Sequence, residues 1–333
     1  ARAIDETGIQ FRVLNRRKGP AVRAPRAQAD KHRYQERMAA VVAATDGLTI
    51  VEGDAVALVD EAVAGRPRVV GLRLADGREL RGRHVILCTG TFLRGLMHVG
   101  DTRTLGGREG AASSDGLSKE LARLGLQLRR LKTGTPPRLH AGSIDTSRLD
   151  PQAGDVDARP FSFRTRRFAP PSHLCWLAYT TPRTHAIIRE NLHRSPLYAG
   201  SIAGQGPRYC PSIEDKVVRF ADRDRHLLFL EPEGLETHEV YVNGISTSLP
   251  AEVQEAMVRS VPGLERAVLT RYGYAVEYDS VPSWQVGSTL ACKAIDGLSL
   301  AGQILGTSGY EEAAAQGLVA AVNAVRLLGG DDP

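Results

Sequence analysis

Apolar positions between residues 48 and 90 alternate in short runs. Leu48-Thr-Ile-Val51, Ala55 to Val59, Val69 to Leu74 and Glu79-Leu80 read as strands, with Gly65-Arg-Pro67 and Asp76-Gly77 as turns. The meander ends in the continuous run His84-Val-Ile-Leu-Cys88 and the turn Thr89-Gly90-Thr91. Helical spacing predicts helices from Arg26 to Ala44, Gly116 to Leu124, Thr184 to Asn191 and Ala251 to Val261. Ser248 is the expected cap of the last, and Pro262-Gly263 its stop. Leu174 to Tyr179, His226 to Leu230 and Glu239 to Val242 read as further strands, with Asn243-Gly244 as a hairpin signal. Tyr272, Tyr274 and Tyr278 alternate as on a strand, packing into a sheet or stacking on bases.

The stretch Gly297 to Leu328 has a different pattern. An apolar strand, Leu298 to Ala301, enters a turn with Gly302, Gly306 and Gly309, and a helix of Ala, Leu and Val starts near Tyr310. Unpaired first-turn N–H groups and glycines make a seat for an anion or a polarised ring; an ordinary core strand–turn–helix has the same pattern. Ala313, Ala314, Ala315 and Gly317 give the helix a thin face that can lie close to a sheet.

A chain of 333 residues predicts two domains, or one with insertions, and 42% hydrophobic content supports a real core. The formal charge of +5 is compatible with a polyanionic partner. Residues 9 to 38 concentrate Arg12, Arg16, Arg17, Lys18, Arg23, Arg26, Lys31, Arg33 and Arg37, as a phosphate-contacting surface or a solvated face. Residues 140 to 172 are irregular and read as a mobile loop with the basic cluster Arg164, Arg166 and Arg167.

The four cysteines, Cys88, Cys175, Cys210 and Cys292, are scattered, and neither they nor the histidines have metal-ligand spacing. With no signal peptide and no long apolar run, we expect a soluble, cytoplasmic protein with reduced thiols. The chain opens without Met, as a fragment would.

Three segments carry candidate chemistry. Lys132, Thr133, Thr135 and Arg138 surround a Gly-Thr-Pro-Pro turn that could hold a phosphate or carboxylate, or be a rigid surface turn. Gly204 and Gly206 form a G-x-G, but Tyr209 replaces the third glycine of a dinucleotide fingerprint. Cys210 is flanked by Arg208, Ser212, Glu214, Asp215 and Lys216, and nearby cations raise the thiolate fraction. It is a reactive thiol or a partly buried one in a turn, whereas Cys88 reads as a buried core thiol.

Long segments resemble one family. Phe11 to Asp30, Gly90 to Gly100 (GTFLRGLMHVG), LKTGTPPR, Gly206 to His226 (GPRYCPSIEDKVVRFADRDRH), Phe229 to Pro250 and Ala301 to Gly317 (AGQILGTSGYEEAAAQG) are similar to the MnmG family, also called GidA. The resemblance implies an α/β, Rossmann-like FAD-binding domain of the two-dinucleotide-binding flavoprotein type with an inserted α/β domain. The FAD-domain pieces would be 1–135 and 285–333, and the inserted NADH- and substrate-associated domain 136–284. The family's GxGxxG unit would precede residue 1 and its helical C-terminal domain would follow Pro333.

The implied enzyme uses FAD, NADH and methylene-tetrahydrofolate. As a homodimer with the MnmE GTPase, it installs an aminomethyl or carboxymethylaminomethyl group on C5 of tRNA wobble uridine 34. A folate- and FAD-dependent tRNA uridine-54 methyltransferase and a non-catalytic RNA-binding module are the alternatives. Carried over by position, the FAD site is Ala55, Thr89, Gly90, Thr91, Ser114, Gly302, Gln303, Gly306, Thr307, Ser308 and Gly309, with the helix from Tyr310 pointing its N-terminus at the flavin. The NAD-associated segment is Gly206, Pro207, Arg208, Tyr209, Cys210, Pro211, Ser212, Ile213, Glu214, Asp215, Lys216, Val217, Val218, Arg219 and Phe220, with Cys210 as nucleophile or general acid. Arg16, Arg17, Lys18, Arg23 and Arg26 are the expected tRNA contacts.

Overall fold

The computed structural model describes residues 1–204, 206 and 211–332. Its apolar residues gather in two cores. One unites residues 58–126 with 281–305, around Leu58, Val69, Leu121, Leu298 and Ile304; the other runs from Leu139 to Ala267.

In the first lobe, strands Val85–Leu87 and Leu298–Leu300 pair in parallel. The antiparallel meander Ala55–Val63, Arg66–Leu74 and Glu79–Arg81 is tied to them where Val69 N donates to Asp296 O at 2.9 Å. Helix Gly116–Arg123 lies directly on the meander. A Cβ on Gly116 would come within 2.3 Å of the Val56 carbonyl oxygen, so the residue has to be glycine.

The second lobe is a six-stranded antiparallel sheet in the order Asp150–Gln152, Cys175–Tyr179, Leu227–Pro232, Glu239–Asn243, Arg138–His140, Leu269–Arg271. Helices Pro182–Glu190, Ile213–Arg219 and Ala251–Arg259 bury apolar residues in its core. A four-stranded sheet joins the lobes, with Tyr274–Ser280 between Leu96–Val99 and Arg129–Thr135.

The N-terminal ribbon, Gly8–Leu14 paired with Ala24–Ala29, docks on the second lobe rather than the first. Gln10 Nε2 donates to the carbonyls of Gln152 and His173 at 2.9 and 2.7 Å, and Gln28 Nε2 to that of Pro232 at 2.6 Å. Two buried glutamates complete the join. Glu231 pairs with Arg26, and Glu233 accepts from Lys31 at 2.7 Å and Arg138 at 2.9 Å. Burial alone would raise the Glu233 pKa; the two cations more than offset that and hold it below the ordinary carboxylate value.

Several elements differ from the sequence expectation. The helix expected from Arg26 spans Lys31–Ala43, because residues 24–29 join the ribbon and the Asp30 carboxylate caps the N–H groups of His32 and Arg33 at 3.1 Å. Pro250, not Ser248, is the N-cap of Ala251–Arg259, and no side chain caps that end. Asn243-Gly244 ends a strand instead of closing a hairpin; that hairpin closes through 233–238. LKTGTPPR is strand up to Thr135.

Leu48 to Val51 has no partner strand among the described residues, and Leu48, Ile50 and Val51 are exposed. Cys88 is exposed just past Val85–Leu87, not a core thiol. Helix Tyr310–Gly329 fully buries Ala320 and Ala324, not Ala313 to Gly317, while Leu318, Val322 and Val325 face outward.

Replacing Glu233 with Gln tests the join. Lys31 is half exposed and Arg138 largely covered, so the loss expected at pH 7 is about 1–3 kcal/mol, measured by urea unfolding. A lowered folded pKa makes this contribution fully present above about pH 4.3 and lost as the pH falls through the folded value. The gap between wild type and variant closes over that window.

Candidate cofactor and substrate site

Two glycine turns meet because their strands run parallel. Val85–Leu87 leads into Thr89-Gly90-Thr91, and Leu298–Leu300 into the one-turn 3-10 helix Gly302–Leu305, so both turns leave the same edge of the sheet. Gly90 has φ +58°, and a Cβ there would lie 3.7 Å from Gln303 Oε1. Gly306 turns the chain back with φ +85°. Gln316, on the following helix, clamps the second turn: its Oε1 accepts from Gly302 N at 2.8 Å and Thr307 Oγ1 at 3.0 Å.

A cavity lies on each side of Thr89-Gly90-Thr91. The smaller, about 430 Å³, is lined by Gly53, Asp54, Ala55, Thr89, Phe92, Ala112, Ser113, Ser114 and Leu117. The larger, about 890 Å³, has Thr91, Gln303, Ser308 and Gly309 on one wall and Thr133, Gly134, Thr135, Tyr274 and Val276 among its other lining residues. The expected FAD residues are thus divided: Ala55, Thr89 and Ser114 serve one cavity, and Thr91, Gln303, Ser308 and Gly309 the other. Gly90 stands between them. Gly302, Gly306 and Thr307 shape the turn without lining either. The Thr89 hydroxyl is buried and has no hydrogen-bond partner among the described residues. An elongated ligand with hydroxyl or phosphate groups would supply that partner, so the residues present fit a dinucleotide cofactor.

Most cations on the larger cavity are already paired. Lys31 and Arg138 share Glu233, and Arg271 meets Glu239 at 3.1 Å and Glu109 at 3.9 Å. Arg108 is exposed on its rim with no carboxylate partner among the described residues. Tyr272 and Tyr274 line the cavity, and Tyr274 Oη accepts from Glu109 N at 3.3 Å, whereas Tyr278 is core. The start of helix Tyr310–Gly329 carries Glu311 and Glu312, and the Glu312 carboxylate lies over Gly309, in the space a Cβ would take. Two acids in the first turn of the helix oppose a further negative charge at that end.

The cysteine-bearing segment is anchored on both sides. The buried Glu277 accepts from Ala203 N at 3.0 Å and Gly204 N at 2.9 Å, and its other oxygen meets His98 Nε2 at 3.0 Å. Burial pushes this carboxyl up, but His98, the Gly204 N–H and Arg130 bring its pKa below the ordinary value. Further on, Ser212 and Asp215 form a reciprocal capping box on Ile213–Arg219. Glu214 is buried, its pKa raised by desolvation, and accepts from Thr247 Oγ1 at 3.0 Å. Pro207, Arg208, Tyr209 and Cys210 lie outside the described residues. Among the described ones from Gly206 to Phe220, Ile213 and Val217 are core, Val218, Arg219 and Phe220 are exposed, and none lines either cavity. Partial desolvation raises the Cys88 thiol pKa although the residue is exposed, and burial pushes Cys175 to about 11 and Cys292 to about 12, so these three stay protonated at neutral pH.

The expected RNA contacts also divide. Arg16 bonds Asp155 at 2.7 Å and Asp157 at 2.9 Å, Arg26 pairs with Glu231, and Arg23 Nε donates to the Arg16 carbonyl at 3.2 Å. Arg17 and Lys18 are exposed, with no carboxylate partner among the described residues. No group of three or more acidic, histidine or cysteine side chains could hold a metal, and no helix is long and apolar enough to cross a membrane, among the described residues. Gln316, Glu277 and Glu233 escaped the sequence reading, because each acts on residues far away in the chain that no local spacing connects.

Paired glycine turns at the edge of a parallel strand pair, flanked by an antiparallel meander and an inserted lobe, define an α/β flavoprotein of the Rossmann type. The family model described as glucose inhibited division protein A, GidA, matches residues 1–332, and the chain belongs to that family. A Rhodopirellula baltica protein named tRNA uridine 5-carboxymethylaminomethyl modification enzyme MnmG is 52% identical over 99% of this chain and 52% of its own length. The Pelobacter propionicus protein of the same name is 55% identical over 100% of this chain and 52% of its own length. The form I crystal structure of Aquifex aeolicus GidA superposes with a TM-score of 0.92 at 50% identity, over 100% of this chain and 56% of that one. The chain therefore spans about half the length of the relatives it matches.

Replacing Gln316 with Leu removes one acceptor from two donors of the glycine turn. The expected cost is about 1–3 kcal/mol in urea unfolding, with faster hydrogen exchange at the Gly302 amide.

Proposed function

We propose that this chain forms the cofactor and substrate core of an FAD-dependent enzyme that modifies C5 of the wobble uridine in tRNA. The observation that carries the reading is the pair of cavities flanking Thr89-Gly90-Thr91, one closed by the meander and the other shared by the glycine turn and the inserted lobe. The relatives named as tRNA uridine modification enzymes suggest the substrate.

In this reading Ala55, Thr89 and Ser114 hold one end of FAD, and Thr91, Gln303, Ser308 and Gly309 the other. Bound FAD supplies two-electron chemistry, with NADH as reductant and methylene-tetrahydrofolate as one-carbon donor. The chain's own residues do the rest. Thr133 to Thr135, Tyr272 and Tyr274 border the space beside the glycine turn where a base enters. Arg108, with no carboxylate partner among the described residues, offers a cation to a phosphate at the rim. Cys210 is the thiol for covalent or acid–base work on the uracil ring. Desolvation raises the pKa of the other three, and Arg208 and Lys216 flank Cys210 in sequence. The enzyme acts in the cytoplasm as a homodimer with the MnmE GTPase, and the segment Gly206 to Phe220 serves NADH.

Titrating FAD into the protein and recording the visible absorbance checks the cofactor. A shifted, structured band is expected, and a spectrum identical to free FAD removes flavin from the reading. Cys210→Ser should lower the tRNA modification rate about 100-fold or more while leaving the flavin spectrum and RNA affinity as in wild type. An unchanged rate takes Cys210 out of the chemistry.

A further inference from the structure

The irregular segment between the Asp150–Gln152 and Cys175–Tyr179 strands holds an exposed aromatic ring on a fixed turn. The Asp5 carboxylate accepts from Phe161 N at 2.7 Å, Ser162 N at 2.9 Å and Thr165 Oγ1 at 2.7 Å, and Ser162 Oγ accepts from Arg164 N at 3.2 Å. Ser162 is buried, and Thr165 N donates back to its carbonyl at 3.1 Å. The backbone of the turn is therefore pinned at four points. Phe163, at its centre, is fully exposed.

Arginines surround this ring. On one side is a cleft of about 720 Å³ that Phe163 itself lines, together with the N-terminal ribbon. Arg16 and Arg26 there are paired with carboxylates, which leaves Arg12, Arg23 and Arg159 without one among the described residues. On the other side of the turn, Arg33, Arg164, Arg166 and Arg167 line a second cleft of about 480 Å³ and have no carboxylate partner among the described residues. Asp155 and Asp157 also line the first cleft, where they bond Arg16, and Asp5 and Glu6 line the second, but no acidic residue occurs between Asp157 and Glu190.

A neutral, rigid π-face between two arginine-lined clefts is the arrangement that takes an unpaired nucleotide, with the base on the ring and the flanking phosphates on the cations. An acidic protein surface would use the arginines but leave the ring without a stacking partner. We propose that Phe163, with Arg159 and Arg166 on either side, is a stacking platform for an unpaired nucleotide of the RNA substrate. The platform is distinct from the two cavities at the glycine turns and rests on the proposal that the substrate is tRNA.

The test measures binding of a labelled anticodon stem–loop RNA and of a fully paired RNA duplex of equal charge over a range of salt. Phe163→Ala should weaken the stem–loop about ten-fold, leave the duplex unchanged and keep the salt slope of wild type, because stacking releases no counterions. Phe163→Trp should restore stem–loop affinity. The double variant Arg159→Ala/Arg166→Ala should weaken both RNAs and flatten both slopes. Unchanged stem–loop affinity in Phe163→Ala, or an equal loss on both RNAs, overturns the platform and leaves the tRNA reading intact. A wild-type protein that binds neither RNA overturns both.

Discussion

The parallel pairing of Val85–Leu87 with Leu298–Leu300 is the constraint on which the rest depends. Parallel strands cannot be joined by a tight turn, so the chain must leave the first and return to the second by a crossover. Here the crossover is most of the protein. Closing so long a loop has an entropic cost that grows slowly with length, and the excursion carries a core of its own. In return, two glycine turns distant in sequence emerge side by side, with a cavity on each flank of the first.

The allocation of carboxylates decides what the positive charge can do. A basic N-terminal stretch looks uniform in sequence, but its members do different work. Arg26 and Lys31 join the ribbon to the second lobe through Glu231 and Glu233, and Arg16 fastens the ribbon to Asp155 and Asp157. These pairs are worth most where a carboxylate is buried, as at Glu233, and least where both partners are wet. Among the described residues, the cations without a carboxylate partner include Arg12, Arg17, Lys18 and Arg23 on the ribbon and Arg159, Arg164, Arg166 and Arg167 on the segment after it.

Local signals read well from the sequence. The meander, the helix after Gly116 and the strand–turn–helix at Leu298 stood out because alternation, Asp-Gly and spaced glycines act over a few residues. Gln303 lies in a long matching segment, whereas Ala55, Thr89 and Ser114 were expected only by their position in the family, and the structure distributes the four between two cavities. What failed was everything set by a distant partner. The helix at Lys31 starts late because residues 24–29 are captured by the upstream strand Gly8–Leu14, with Arg12 opposite Arg26. Leu48 to Val51 has strand composition but no neighbouring strand among the described residues to complete its hydrogen bonds. Cys88 looked buried because its strand is apolar, yet it sits one residue past the paired part.

Strand Tyr274–Ser280 does two jobs with its two faces. Tyr274 and Val276 open onto the larger cavity, while Glu277 grips the Ala203–Gly204 backbone and Asp279 bonds Arg130 at 3.0 Å. Strand side chains alternate with a period of two, so a one-residue deletion ahead of Glu277 would swap the faces. A charged carboxylate would then point into the cavity, and a tyrosine would replace the anchor of the loop. Length changes in this strand are therefore forbidden singly, and drift in the family should accumulate instead in the irregular connections, where backbone register carries no such double obligation.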